Sequence, residues 1–162
     1  MSEVDAFVKA NERYASSFKK GHLTMPPARR VAVVACMDAR LDPARILGLE
    51  EGDAHVIRNA GGRAADALRS LVISQQLLGT REVVVIHHTD CGMLTFTNDH
   101  LKQKLRDGLG VEADLDFLPF SDLDQSVRDD VEAIRESRLL VGGVPVTGFV
   151  YDVRTGRLRK TA

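Results

Sequence analysis

The chain has 162 residues, of which 44% are apolar and 28% are charged, and its formal net charge at pH 7 is −1. This length and composition are typical of one globular domain with a substantial core. The near-zero net charge argues against nucleic acid or an anionic membrane surface as a partner, and no apolar run approaches the roughly 20 residues of a membrane span. The first residues lack the basic start and apolar centre of a signal peptide, so we expect a cytoplasmic protein.

Helical and strand patterns alternate along the chain. Residues 3–20 carry a helical apolar stripe, and Ser2 with Asp5 has the spacing of a capping box. An extended segment over 25–27, M-P-P, follows. The later predicted elements are a strand over 31–35, a short helix over 44–47, a strand over 54–58, a helix over 64–78, a strand over 83–88, helical segments over 92–97 and 98–109, a helix from Ser121 or Asp122 to about residue 137, and strands over 146–151 and 157–160.

This alternation predicts an α/β fold in which one domain spans residues 1–162. We expect a central, mostly parallel sheet of four or five strands in the order 2-1-3-4 plus an edge strand, flanked by helices. The N-terminal helix precedes the first strand and makes no crossover, so it covers either its own sheet or a partner subunit. In this strand order a crevice opens at the carboxyl ends of strands one and three, where open α/β sheets bind ligands.

Three residues with metal-binding side chains follow those two strands. Cys36 comes directly after strand one, His88 ends strand three, and Cys91 lies three residues further on. Two thiolates and an imidazole form a zinc ligand set, and three protein ligands leave a fourth position open, as in catalytic sites. Each cysteine taken alone is more often a small apolar filler. The prediction of one zinc site depends on all three lying beyond neighbouring strands.

Asp38 and Arg40 follow Cys36 at alternate positions. Asp38 can serve as a fourth zinc ligand, or it can pair with the planar guanidinium of Arg40. The first arrangement closes the site to water, whereas the second allows a zinc-bound water whose pKa falls from about 15.7 towards 7. Because added base favours hydroxide over the carboxylate, we predict a site that is closed at neutral pH and open under alkaline conditions.

Three segments resemble motifs of the β-class carbonic anhydrases. Residues 36–40, C-M-D-A-R, resemble the family's C-x-D-S-R, with alanine in place of the common serine. Residues 88–92, H-T-D-C-G, resemble H-x-x-C-G, and residues 58–61, R-N-A-G, resemble the segment between those two motifs. The motifs occur in the family's order, and the resemblance covers about residues 25–155. The short chain and the run H-H-T-D-C-G-M-L-T-F resemble the compact branch of the family.

The resemblance implies a zinc lyase that hydrates carbon dioxide reversibly to bicarbonate and a proton, by means of zinc-bound hydroxide. One Zn²⁺ per chain would be bound by Cys36, His88 and Cys91, with Asp38 as the gating ligand and Arg40 as its partner. Gly92 could offer a backbone N–H to the substrate. The resemblance also implies a homodimer in which helix 3–20 lies over the partner and the active site lies near the interface. A dimer of dimers is the open alternative.

Two other functions fit the same residues. Some relatives in the compact branch hydrolyse carbonyl sulfide or carbon disulfide, which are also linear molecules open to attack by hydroxide. A non-catalytic zinc-binding or redox-sensing dimer would keep Asp38 on zinc at every pH. The segment 25–27 replaces a glutamine that helps to hold substrate in many members, and the absence of tryptophan argues against the non-catalytic bicarbonate site known in the family.

The remaining histidines give no decisive pattern. His87 is predicted to be structural or to support the metal site from behind it. His22, His55 and His100 are predicted to be structural or solvated. For proton transfer, the sequence leaves His55, His87 and buffer as open alternatives.

Overall fold

The computed structural model describes residues 2–162. Its helices are α1 (Glu3–Ser16), α2 (Pro43–Leu47), α3 (Ala64–Gln76), α4 (Asn98–Leu109) and α5 (Leu123–Glu136). Its strands are β1 (Val31–Cys36), β2 (Ala54–Asn59), β3 (Glu82–His88), β4 (Val146–Tyr151) and β5 (Leu158–Lys160). Two single turns of 3-10 helix cover Ala60–Gly62, here called the glycine turn, and Gly92–Leu94. No helix within residues 2–162 combines the length and the apolar character that crossing a membrane requires.

The five strands form one sheet in the order β2-β1-β3-β4-β5. The first four run parallel, and β5 pairs antiparallel with β4 at the edge. The predicted order 2-1-3-4 with an added edge strand is therefore confirmed. Because β1 lies between β2 and β3, its residues 32–36 are all buried, which explains the continuous apolar run that the sequence shows there.

Helices α3 and α5 pack together on one face of the sheet. Their buried residues Leu71, Val127 and Val131 join Val34 and Val85 of the central strands in one apolar cluster. The opposite face carries a smaller cluster around Val33, Ala35 and Ile86. The core is therefore aliphatic on both faces, in keeping with an aromatic content of only 5%.

Helix α1 is shorter than predicted, and its exposure excludes one of the two positions expected for it. The helix ends at Ser16 instead of residue 20, because the hydroxyls of Ser16 and Ser17 donate to the carbonyls of Arg13 and Tyr14 and compete with the helical pattern. The predicted capping box of Ser2 and Asp5 is present. No residue of α1 is buried, so the helix does not cover the sheet of its own domain.

Strand β4 passes closely under α5 at Gly148. A Cβ atom at this position would overlap Cγ1 of Val127 and lie 2.9 Å from Cγ2 of Val131. Real Cβ contacts do not reach these distances, so any larger residue must displace these valine side chains or the helix that carries them.

Replacing this glycine by alanine (Gly148→Ala) should lower the free energy of unfolding by about 1–3 kcal/mol, which is the usual cost of overpacking a core. Urea unfolding followed by circular dichroism measures the change. In the double variant with Val127→Ala, the shortened side chain makes room, and the combined loss should be smaller than the sum of the two single losses. Gly142→Ala, where nothing lies within 4 Å, should change the stability by less than about 0.5 kcal/mol. Strictly additive losses in the double variant would contradict a direct contact.

Candidate metal centre

Three buried side chains meet at the carboxyl ends of the central strands. Cys36 is the last residue of β1, His88 is the last residue of β3, and Cys91 follows in the connection to the next turn. One ligand atom from each, the two sulfurs and an imidazole nitrogen, lie within 4.8 Å of one another. Because β1 and β3 are parallel neighbours, both end at the same edge of the sheet. The structure thus brings together the three residues that the sequence singled out.

The orientation of His88 suits a metal ligand. Its Nδ1 atom lies 2.8 Å from the carbonyl oxygen of Thr89, so Nδ1 carries the hydrogen and Nε2 presents a lone pair. Within residues 2–162, this buried Nε2 has no hydrogen-bond partner, and the 3.7 Å to Oδ2 of Asp38 is too long for one. A bound cation would satisfy this orphaned atom.

The two cysteines affect each other's protonation. The neighbouring Cys91 thiol lowers the pKa of Cys36, and the N–H of Gly61, 3.3 Å from the Cys36 sulfur, acts in the same direction. The Cys36 thiolate in turn raises the pKa of Cys91, because a second negative charge beside the first is unfavourable. A divalent cation bound by both sulfurs removes this repulsion. The donor set of two thiolates and one imidazole therefore fits zinc.

Asp38 lies beside the cluster and pairs with Arg40. The guanidinium donates from Nε to Oδ1 at 3.0 Å and from Nη2 to Oδ2 at 2.8 Å, and the Arg40 backbone N–H donates to Oδ1 at 2.8 Å. This pairing holds the pKa of Asp38 well below its usual range, so the carboxyl group stays ionised near neutral pH. Of the two predicted arrangements of Asp38, the structure has the one in which Arg40 holds the carboxylate.

A second carboxylate, which the sequence interpretation missed, holds Arg40 from the other side. Nη1 of Arg40 donates to Oδ2 of Asp90 at 2.7 Å, and Nη2 donates to the Asp90 carbonyl at 2.9 Å. Asp90 has a left-handed backbone, with φ of 55°, which turns it towards the end of β1. The sequence feature that could have identified Asp90 is its position inside the H-T-D-C-G segment, since the other motif supplies an arginine with which it can pair.

Arg58 was also missed as a site residue. This residue of β2 donates from Nε and Nη2 to the Cys36 carbonyl at 3.0 and 2.9 Å, and from Nη2 to the Asp38 carbonyl at 2.8 Å. It thereby fixes the backbone that carries both side chains. The available signal was its position in the R-N-A-G segment.

The glycine turn fills the gap between the ends of β1 and β3. A Cβ atom on Gly62 would lie 2.9 Å from both the Cys36 nitrogen and the Ile86 carbonyl oxygen, and its φ is 67°. Only glycine fits such a close backbone approach with a positive φ. Asn59 closes the turn, because its side chain accepts from the Arg63 N–H at 2.7 Å and donates to the Arg63 carbonyl at 3.0 Å.

The other predicted residues lie at varying distances from the cluster. Gly92 starts the turn after Cys91, is exposed and has nothing within 4 Å of its missing Cβ. His87 is fully buried behind the site. His55 pairs in register with Ala32, four positions before Cys36 on the parallel neighbour, and its Nδ1 lies 2.7 Å from Oγ of Ser74.

His22 and His100 are exposed. Neither belongs to the group of possible metal ligands found within residues 2–162.

Comparisons with known proteins agree with this geometry. The sequence profile of the carbonic anhydrase family matches residues 31–115. Beta-carbonic anhydrase 1 of Mycobacterium tuberculosis is 47% identical over 161 residues, which is 99% of this chain and 98% of the relative. A carbon disulfide hydrolase of Acidianus sp. is 35% identical over 182 residues, covering 97% of this chain and 88% of the relative. The crystal structure of a carbonic anhydrase from Streptococcus mutans matches with a TM-score of 0.94 and 51% identity, over 100% of this chain and 99% of that one. The chain therefore belongs to the β-carbonic anhydrase family.

Proposed function

We propose that this protein is a zinc-dependent carbonic anhydrase that catalyses the reversible hydration of carbon dioxide to bicarbonate and a proton. The observation that carries the proposal is the buried cluster of Cys36, His88 and Cys91, whose ligand atoms lie within 4.8 Å of one another, in a member of the β-carbonic anhydrase family.

Zinc held by these three side chains would supply Lewis-acid chemistry that lowers the pKa of a water molecule towards neutrality. The protein's own contribution is to fix the ligands beforehand. The Thr89 carbonyl sets the tautomer of His88, and the Gly61 N–H holds the Cys36 sulfur. Such supporting contacts keep the ligands in one geometry and raise metal affinity.

Arg40 controls whether Asp38 is available as a fourth ligand. It binds both oxygens of the Asp38 carboxylate and is itself held by Asp90. Because Oδ2 of Asp38 lies only 3.7 Å from Nε2 of His88, a carboxylate released from Arg40 is within easy reach of the cluster. We therefore assign to Arg40 the task of keeping the site open, and to Asp38 the role of the gating ligand. The exposed Gly92 remains the candidate for a backbone N–H contact to the substrate.

Carbon dioxide is favoured over sulfur analogues as the substrate. The identities to carbonic anhydrases, 47% and 51%, exceed the 35% identity to a carbon disulfide hydrolase. Both reactions add water to a linear molecule, so the same cluster serves either one. Carbon disulfide therefore belongs in the assay as the second substrate.

The unburied apolar stripe of α1 and the residues after it supports a homodimer. The stripe consists of side chains that are 48–66% exposed: Val4, Phe7, Val8, Tyr14 and Phe18. A surface of this kind on a helix without a buried residue is typical of an interaction site. We propose that a second copy of the chain covers this stripe. Pairing of two such dimers into a dimer of dimers is the alternative assembly.

The cytoplasm is the proposed location. Both cysteines are free, and they can serve as zinc ligands only while reduced. A reducing compartment keeps them in that state.

Replacing Cys36 by serine should reduce the zinc content to well below one ion per chain, because a ligand thiolate is lost. Mass spectrometry of the metal after dialysis against a weak chelator measures the content. The matched control is Met37→Ser, since this neighbouring side chain is 64% exposed and should not affect zinc. Full zinc content in Cys36→Ser would remove this residue from the ligand set.

Replacing Arg40 by methionine, which keeps the length and removes the guanidinium, should slow carbon dioxide hydration by roughly tenfold to a hundredfold. The released Asp38 then competes for the open position, so adding Asp38→Ala should restore part of the rate. Stopped-flow assays between about pH 7 and pH 9 should show the rate of Arg40→Met rising with pH, since hydroxide displaces a carboxylate more effectively as pH rises.

The control for this series is Arg159→Met, whose partner Asp124 lies 2.7 Å away on the surface and outside the site. An unchanged rate in Arg40→Met would refute the assigned task. If the zinc-loaded wild-type protein turned over carbon disulfide but not carbon dioxide, the proposed substrate would be wrong.

Replacing Phe7 by serine should raise the dissociation constant of the dimer by at least about tenfold, as expected when a large apolar side chain that the partner covers is lost. Sedimentation velocity across micromolar concentrations measures it. Arg13→Ser is the control, because the helical period places this residue away from the apolar stripe. A wild-type chain that sediments as a monomer would contradict the dimer.

A further inference from the structure

A buried polar cluster lies behind the metal centre, and the proposed function does not use it. His87 is 0% exposed and Asp130 is 4% exposed, and both contact residues of the glycine turn or its flank. Asp130 belongs to α5, a helix that contributes no ligand to the metal centre. Buried ionisable groups are unfavourable unless they are paired, so their presence beside the site needs an explanation.

Asp130 holds a partner with each of its two oxygens. Nε2 of His87 lies 3.0 Å from Oδ2 of Asp130 and 3.2 Å from the Gly62 carbonyl. Because both neighbours are acceptors, Nε2 carries a hydrogen and donates. Oδ1 of Asp130 lies 3.2 Å from Nη2 of Arg63. The carboxylate therefore joins strand β3 to Arg63, the residue that directly follows the glycine turn.

Arg63 depends on this carboxylate. Its Nε and Nη1 atoms are buried without a hydrogen-bond partner in the part of the chain that the structure describes, residues 2–162. Its guanidinium lies over the ring of Phe120, 5.3 Å from the centroid, and the same ring stacks on His87 at 5.4 Å. Since an uncompensated buried charge is costly, the Asp130 carboxylate stabilises Arg63 in this position.

The glycine turn connects Arg63 to the metal ligand Cys36. The N–H of Gly61 points at the Cys36 sulfur at 3.3 Å, and Gly62 lies against the backbone of Cys36 with no room for a Cβ. His87 directly precedes the ligand His88 on β3. A shift of the turn or of the end of β3 would therefore change the surroundings of both ligands.

We propose that Asp130 is a positioning residue of the metal centre. It fixes Arg63 and His87. Through Arg63 it holds the Gly61 N–H against the Cys36 sulfur, and through His87 it holds the end of β3 that carries the His88 ring. This inference rests on the proposed metal site at Cys36, His88 and Cys91.

The test replaces Asp130 by asparagine, which keeps the volume and removes the charge that Arg63 faces. The full chain is loaded with Co²⁺, and the thiolate-to-cobalt charge-transfer absorption reports on the bonding of the sulfurs. Competition with a chromophoric chelator gives the Zn²⁺ affinity. In Asp130→Asn we expect an altered charge-transfer band and a Zn²⁺ affinity lower by tenfold or more, the usual effect of losing a residue that supports a ligand.

Val131→Ala is the control for stability. This neighbouring residue of α5 is 1% exposed and lies in the apolar core, so its truncation lowers the melting temperature without touching the polar cluster. Its charge-transfer band and Zn²⁺ affinity should equal those of the wild type. Asp130→Glu, which keeps the charge, should recover part of the affinity that Asp130→Asn loses.

Two outcomes would overturn the inference. Equal metal readouts in Asp130→Asn and wild type would show that the carboxylate does not act on the centre. Parallel losses in Asp130→Asn and Val131→Ala would show a purely structural role. If Asp130→Asn does not fold, Arg63→Met is compared with wild type in its place, because it removes the guanidinium that Asp130 holds beside the glycine turn, and unchanged metal readouts overturn the inference. A wild-type chain without a thiolate-to-cobalt band would instead refute the proposed metal site itself.

Discussion

The parallel pairing of β1 with β3 is the constraint on which the site depends. In this register Val34 lies opposite Val85 and Ala35 lies opposite Ile86, so the strands end together at one edge of the sheet. Burial on both faces demands apolar side chains along the strands, and that demand ends where the strands end. Thiol, carboxylate and imidazole side chains can therefore lie side by side just beyond the ends of these two strands, although the two strand ends are about fifty positions apart in the chain.

The glycine turn is a second constraint, and it acts through the backbone. It follows β2 directly and enters the space between the ends of β1 and β3, where Gly62 approaches the Cys36 nitrogen and the Ile86 carbonyl oxygen. A turn in this place can direct a backbone N–H at a ligand sulfur without occupying the space that a side chain would need. The close packing that excludes a Cβ is thus also what brings Gly61 within reach of Cys36.

Local patterns in the sequence were sufficient for the strands and for the three residues of the cluster. Apolar runs that stop at Cys36 and His88 are visible without a structure, and alternation with handedness predicts parallel pairing. The order 2-1-3-4 was an assumption beyond these patterns, and the structure confirms it. The end of α1 was not predictable from its stripe, because serine hydroxyls competed for the carbonyls of the last turn. Asp130 was invisible for another reason. Its partner His87 lies 43 positions away in the sequence. Within the sequence of its own helix, nothing distinguishes Asp130 from the other charged residues.

Arginines hold the surroundings of the cluster in three different ways. Arg40 binds the carboxylates of Asp38 and Asp90, whereas Arg58 binds the carbonyl oxygens of Cys36 and Asp38. Arg63 faces Asp130 and an aromatic ring. A guanidinium keeps its charge at every pH at which a protein works, so the arginine side of each contact persists as the medium changes. Movement of the gating Asp38 then depends on which group competes for its carboxylate, and not on the charge of Arg40. A hydration catalyst must release and take up a proton in each cycle. A frame of permanently charged groups allows that proton to come from the water being activated, while the ligands remain where the fold has placed them.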